Sequence, residues 1–190
     1  MGRGVSEKTK KITLCAVLAA MGVVLLLIGA FIEVLDLSMA AIASFFCIFA
    51  VIEMGKGYPW MVYGVTGLLS VILMPQGLGG WFYILFFGYY PIIKEKLEKL
   101  IRPLSWLLKL VVFNVSISLY GAICYFLFFG EFSTLIEEFS SLFGGMDPGV
   151  ILGVIIYAIL NLVFVIYDFA LTRLISLYLI KLRKKFRFLK

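Results

Sequence analysis

Two carboxylates, Glu33 and Asp36, interrupt an apolar stretch that otherwise runs from Ile12 to Ile52. A carboxylate within lipid needs a partner, so such a pair can hold a cation or a polar solute. The same pair can also mark a turn at which the chain leaves the lipid, and there water solvates the charges. The residue types therefore allow two interpretations: a solvated turn, or the rim of an outward-facing pocket.

Further polar side chains recur at helical spacing within the later apolar runs. Tyr157, Asn161 and Asp168 fall on one helix face, and Asn114 and Tyr125 fall on another. Polar faces of membrane helices point to the interior of the protein. With a rise of about 1.5 Å per residue, Asn114 and Asn161 both come near mid-membrane. They can form a structural hydrogen bond between helices, or they can bind a solute.

Asp168 and Lys109 have similar expected depths near the inner boundary, on helices that run antiparallel. An ion pair between them satisfies two charges that would otherwise be costly in lipid. We predict that this pair is structural, with a proton relay as the alternative.

The outer ends of the predicted helices combine aromatic rings with amides and carboxylates. An interfacial aromatic belt accounts for some of these side chains, but the same chemistry suits a pocket for a small planar or amphipathic solute. The candidate solute-binding residues are Glu33, Asp36, Gln76, Trp81, Tyr83, Tyr125, Tyr157 and Asn161.

Composition shows that membrane helices must position these side chains. Hydrophobic residues make up 63% of the 190 and charged residues 15%, which is too few charges to cover a soluble domain. There is no histidine, and Cys15, Cys47 and Cys124 lie far apart, so no metal-ligand spacing and no disulfide framework is visible. We expect one all-α integral membrane domain over 1–190, with no metal and no cofactor.

About twenty apolar residues cross a bilayer, and six segments come near this length. The predicted spans are 12–32, 37–54, 59–74, 81–93, 104–129 and 149–171. The third and fourth are short, which indicates tilted or partly re-entrant helices. Between the last two spans, apolar residues at three- and four-residue offsets predict an amphipathic helix over 132–143 on the outer surface, where it would cover the bundle or act as a lid.

The cations orient the predicted spans. With the N-terminus in the cytoplasm, all 17 lysines and arginines fall on the cytoplasmic side, including those of a basic tail over 181–190. This is the distribution that the positive-inside rule describes. We therefore expect a six-helix bundle with both termini in the cytoplasm, inserted as a multi-pass protein.

The first predicted helix contains the sequence CAVLAAMG, in which Ala16 and Ala20 lie four residues apart. Small residues at this spacing let another helix approach closely. The chain resembles the substrate-binding S-component of an energy-coupling factor (ECF) transporter. The resemblance rests on this motif, on the size of the chain, on its six predicted spans and on its positively charged inner loops. The resemblance implies that Ala16 and Ala20 contact a membrane coupling protein joined to two cytoplasmic ATPases. It also implies a vitamin-like solute and a bacterial cytoplasmic membrane.

The leading functional hypothesis is a substrate-capture subunit, which agrees with the lack of an ATP-binding loop in the sequence. The alternative is a polytopic membrane scaffold or assembly factor that uses its basic tail and acidic outer helix as contact surfaces. The sequence has no histidine, no nucleophile–base pair and no paired intramembrane carboxylates, so we expect that the protein is not an enzyme and has no catalytic residue. The expected partners are a solute, the coupling proteins and the lipid bilayer, with no nucleic acid.

Overall fold

The computed structural model describes residues 2–55, 57–127 and 148–182, and all of their regular structure is helical. The all-α class is therefore confirmed for this part of the chain. The elements are α1 (Gly2–Phe31), a 3-10 turn (Glu33–Leu35), α2 (Asp36–Met54), α3 (Tyr58–Leu73), α4 (Leu78–Phe82), a π-helical turn (Tyr83–Phe87), α5 (Tyr90–Leu97), α6 (Arg102–Leu127), α7 (Pro148–Leu177) and a second π-helical turn (Tyr178–Leu182).

Helix length and composition identify a multi-pass membrane protein. Within the described residues, four helices are long and apolar enough to cross a bilayer. They are Glu7–Phe31, Asp36–Met54, Arg102–Cys124 and Gly153–Ile180. The predicted third span is the shorter apolar helix α3, of 16 residues. The last helix runs well past its predicted end at 171, and the predicted outer helix at 132–143 and nearly all of the basic tail lie outside the described residues.

The predicted fourth span, 81–93, is not one regular helix but the middle of an interrupted one, formed by α4, the first π-helical turn and α5. The N–H of Gly88 donates to the carbonyl of Tyr83 at 2.7 Å, a wide turn that breaks the α-helical register. Pro91, at the start of α5, has no N–H to restore that register. A side chain on Gly88 would collide with the rings of Tyr63 and Tyr83, so only glycine fits here.

The chain forms two compact units, Met1–Lys109 and Leu110–Lys190, and α6 runs from the first into the second. In the first unit α2 packs against α1, α3 and the interrupted helix. Ala40, Ala43 and Cys47 of α2 are fully buried. Such small residues let neighbouring helices approach closely, so α2 forms the centre of the first unit.

The second unit is built on α6 and α7. The rings of Phe113 and Phe164 stack with centroids 4.4 Å apart, and both are buried. Large apolar residues on α7, such as Val154, Leu162 and Ile166, are more than 60% exposed. Exposed apolar surface along a membrane-length helix suits contact with lipid.

Candidate functional site

The side chain of Asp36 links two turns at one end of the first unit by a hydrogen bond. It is the first residue of α2, and its side chain is buried, with 7% exposed. Its Oδ2 accepts a hydrogen bond of 2.7 Å from the N–H of Gly79, 43 residues along the chain at the start of α4. Asp36 is therefore not solvated, and the solvated-turn interpretation does not hold for it. We call this end of the unit, formed by 32–36 and 74–81, the carboxylate end.

The second oxygen of Asp36, Oδ1, is buried and has no hydrogen-bond partner among the described residues. An unsatisfied buried acceptor costs about 1–3 kcal/mol, and such atoms are rare in folded proteins. The first turn of α2 offsets part of this cost, because the positive end of a helix dipole stabilises an anion. The free acceptor indicates a place where a bound polar group would complete the hydrogen bonding.

Glycines let α4 begin close to Asp36. A side chain on Gly79 would overlap the carboxyl group and backbone of Asp36, so no other residue fits there. A Cβ on Gly80 would lie only 3.2 Å from the Oγ of Ser70 in α3, and one on Gly77 would lie 3.1 Å from the Cβ of Ala30 in α1. The start of α4 therefore contacts each of the first three helices through its glycines.

The structure brings three of the predicted solute-binding residues to the carboxylate end. Besides Asp36, these are Gln76, which is exposed, and Trp81, which is half-buried. The indole N–H of Trp81 donates to the carbonyl of Pro75 at 2.8 Å, which fixes the ring beside the turn. Glu33 begins the 3-10 turn, but its side chain lies outside the described part of the chain.

Tyr83, a fourth predicted residue, lies inside the first unit rather than at its rim. It is fully buried, and its hydroxyl lies 3.1 Å from the Sγ of Cys47. The ring centroid of Tyr63 is 6.3 Å from that of Tyr83, and the Tyr63 hydroxyl donates to the carbonyl of Ile84 at 2.9 Å. Tyr83 therefore contacts other side chains of the first unit, and its part in solute binding stays a prediction.

In the second unit, Asn161 pairs with Asn114. Each side-chain amide donates to the other's oxygen, at 3.3 and 3.1 Å. Each also donates to the backbone carbonyl four residues earlier, at Leu110 and Tyr157. One of the two predicted roles, a hydrogen bond between the two helices, is therefore present, and solute binding by Asn161 stays a prediction. Tyr157 is 41% exposed, and the side chain of Tyr125 lies outside the description.

Lys109 belongs to a cluster that sequence analysis missed. Its ammonium group contacts Oε1 of Glu98 at 3.2 Å, and the ammonium group of Lys94 contacts the same oxygen at 3.1 Å. Lys94 and Lys109 are both buried. The four-residue spacing of Lys94 and Glu98 was the available signal. Asp168 is buried in the second unit, and its pairing with Lys109 stays a prediction.

The small residues of α1 divide between two faces. Ala19 and Gly22 face inward, where Thr66 of α3 donates to the carbonyl of Ala19 at 3.4 Å. Ala16 and Ala20, the predicted contact residues, are exposed. The AxxxA pair is therefore not used for packing within the first unit.

Comparison with known proteins adds no family assignment. No family model, no curated protein and no solved structure matches this chain. Among the described residues, no group of three histidine, cysteine or carboxylate side chains could hold a metal ion.

Proposed function

We propose that this protein is the substrate-capture subunit of an ECF-type importer in a bacterial cytoplasmic membrane. In this proposal the chain crosses the membrane six times with both termini inside, and α3 and the interrupted helix are the two short spans. The carboxylate end faces outward and binds a small metabolite or vitamin-like solute. A membrane coupling protein and two ATPases complete the importer.

The unpartnered Oδ1 of Asp36 is the observation that carries the proposal. A solute that donates a hydrogen bond or carries a positive charge would satisfy this oxygen. The half-buried ring of Trp81 offers an apolar surface at the same end. Apolar surface with a few fixed polar groups is typical of small-molecule sites. The solute class that fits is a small ring compound with an amino, amide or hydroxyl donor.

The Asp36→Asn substitution tests this role of Asp36 without removing its structural bond. Asparagine still offers an oxygen to the N–H of Gly79 but replaces the free acceptor with an NH2 donor. We expect the variant to fold and to bind the solute at least about tenfold more weakly, since a hydrogen bond to a charged group contributes about 1.5–3 kcal/mol. The solute is first found as the compound in a metabolite panel that raises the melting temperature of the purified protein.

The control for charge is Glu7→Gln, which removes an exposed carboxylate from the other end of α1. Unchanged solute affinity in Asp36→Asn would exclude Asp36 as the anchor. Absence of stabilisation by any compound in a broad panel would favour the scaffold alternative instead.

The Ala16→Trp substitution tests the coupling partners. The indole would stand out from the exposed face of α1 and keep a docking helix from approaching the AxxxA pair. We expect the coupling protein and ATPases to copurify with the unchanged protein and to be lost with the variant. Met21→Trp is the control, because Met21 is 49% exposed on α1 and lies about 100° around the helix from Ala20, away from the face of the alanine pair. Equal recovery of the partners with both variants would refute coupling through this face.

A further inference from the structure

The first unit contains a cavity of about 380 Å³ at the end opposite Asp36. Its wall includes the end of α2, the glycines on either side of residue 56, the start of α3 and the last turns of α5. We call this end, formed by 54–55, 57–59 and 95–101, the lysine end. A volume of this size accommodates a small ligand or a lipid head group.

The charge of the cavity wall is positive. Glu95, Lys96 and Lys99 all line it. Lys99 is paired with Glu95 at 3.0 Å in an exposed ion pair, so Lys96 supplies the net charge. Nearby, the ammonium group of Lys11 lies 5.8 Å from the ring centroid of Tyr58, next to the cavity. An anion is therefore the ligand that this wall favours.

The rest of the wall is apolar and includes Trp60 and Ile92. Trp60 is 45% exposed, and an exposed indole at the end of a membrane helix is typical of the lipid–water interface. Gly55 and Gly57 have φ angles of 77° and 106°, and a side chain on either would meet nothing within 4 Å. These glycines shape the loop without crowding the cavity.

We propose that this cavity binds the phosphate head group of an anionic membrane lipid. The lysines would contact the phosphate, and Trp60 and Ile92 would contact the start of the acyl chains. A soluble phosphate ester carries the same charged group, but it has no apolar part to bury against that wall. The position also favours a lipid, since α2 is long enough to cross the bilayer and its end lies where head groups are found. This site is separate from the carboxylate end and does not depend on a transport role.

The test measures binding of phosphatidylglycerol and phosphatidylcholine to the full-length protein in neutral detergent, by native mass spectrometry and by the shift in melting temperature. We expect phosphatidylglycerol to bind and stabilise more strongly. Lys96→Gln should weaken its binding about fivefold, the effect of one cation near a membrane surface. Glu95→Gln should strengthen binding, because it removes a carboxylate from the wall and frees Lys99.

Lys8→Gln is the matched control, since Lys8 is exposed on α1 and does not line the cavity. An equal loss of phosphatidylglycerol binding in Lys8→Gln and Lys96→Gln would overturn the proposal in favour of diffuse surface attraction. Weaker binding in Glu95→Gln would also overturn it. Glycerol phosphate binding as tightly as phosphatidylglycerol would show that the cavity takes a soluble phosphate and not a lipid.

Discussion

Replacing Gly79 with alanine is expected to destabilise the protein by about 3 kcal/mol, because an added Cβ overlaps the carboxyl group and backbone of Asp36. The start of α4 must then move away and lose the hydrogen bond from the Gly79 N–H to Asp36. Crowding of a packed core costs about 1–3 kcal/mol, and a hydrogen bond to a charged group contributes a similar amount. The free energy of unfolding in detergent, or the melting temperature, measures the loss.

Gly64→Ala is the control for this prediction. Gly64 lies within α3, and a Cβ there would meet nothing within 4 Å. Alanine favours a helix over glycine by up to about 1 kcal/mol, so this variant should be as stable as the unchanged protein or slightly more stable. If Gly79→Ala behaved like Gly64→Ala, the close contact between the start of α4 and Asp36 would be absent from the protein.

The long helices follow from the sequence because lipid constrains them strongly. A span needs enough apolar residues to cross the bilayer and satisfies its own backbone, so length and hydropathy locate it. The interruption between α4 and α5 is different. It depends on the contact of Gly88 with the rings of Tyr63 and Tyr83, which are brought together only by the packing of α3 against the interrupted helix. The spacing of apolar residues within 81–93 therefore does not predict the interruption.

The polar contacts also differ in whether the sequence predicts them. The Asn114–Asn161 pair was predictable because spacing fixes the face of each amide and the rise per residue fixes its depth. The burial of Asp36 was not, because its partner is the backbone N–H of Gly79. Every residue except proline has such a donor, so the sequence gives no sign of which one pairs with a carboxylate.

The two ends of the first unit differ in how their charges are satisfied. At the carboxylate end, one buried anion has a free acceptor. Over 94–109, five cations accompany two carboxylates. An excess of positive charge beside the membrane is typical of the cytoplasmic side, and a free acceptor suits capture of a donor from the other side. The proposed solute site and the proposed lipid site therefore use opposite charges at opposite ends of the first unit.

Replacing Glu98 with glutamine is expected to destabilise the first unit by about 2 kcal/mol. One carboxylate oxygen of Glu98 contacts the ammonium groups of both Lys94 and Lys109, whose side chains are 1% and 5% exposed. Loss of a partner from a buried ion pair costs about 3–5 kcal/mol. The expected cost is smaller because the side chain of Glu98 is 42% exposed, and water screens part of its charge. The free energy of unfolding of Glu98→Gln and of the unchanged protein in detergent, at low and at high salt, measures this destabilisation.

Glu95→Gln provides a control three residues earlier, in an ion pair with the same four-residue spacing. Glu95 pairs with Lys99 four residues later, but those side chains are 57% and 69% exposed. Exposed pairs contribute about 0–1 kcal/mol and weaken further in salt, so this variant should unfold nearly as the unchanged protein does. The loss of unfolding free energy in Glu98→Gln should persist at high salt, because buried charges are screened much less. Equal stability of the two variants would mean that Lys94 and Lys109 do not depend on Glu98 for their charge balance.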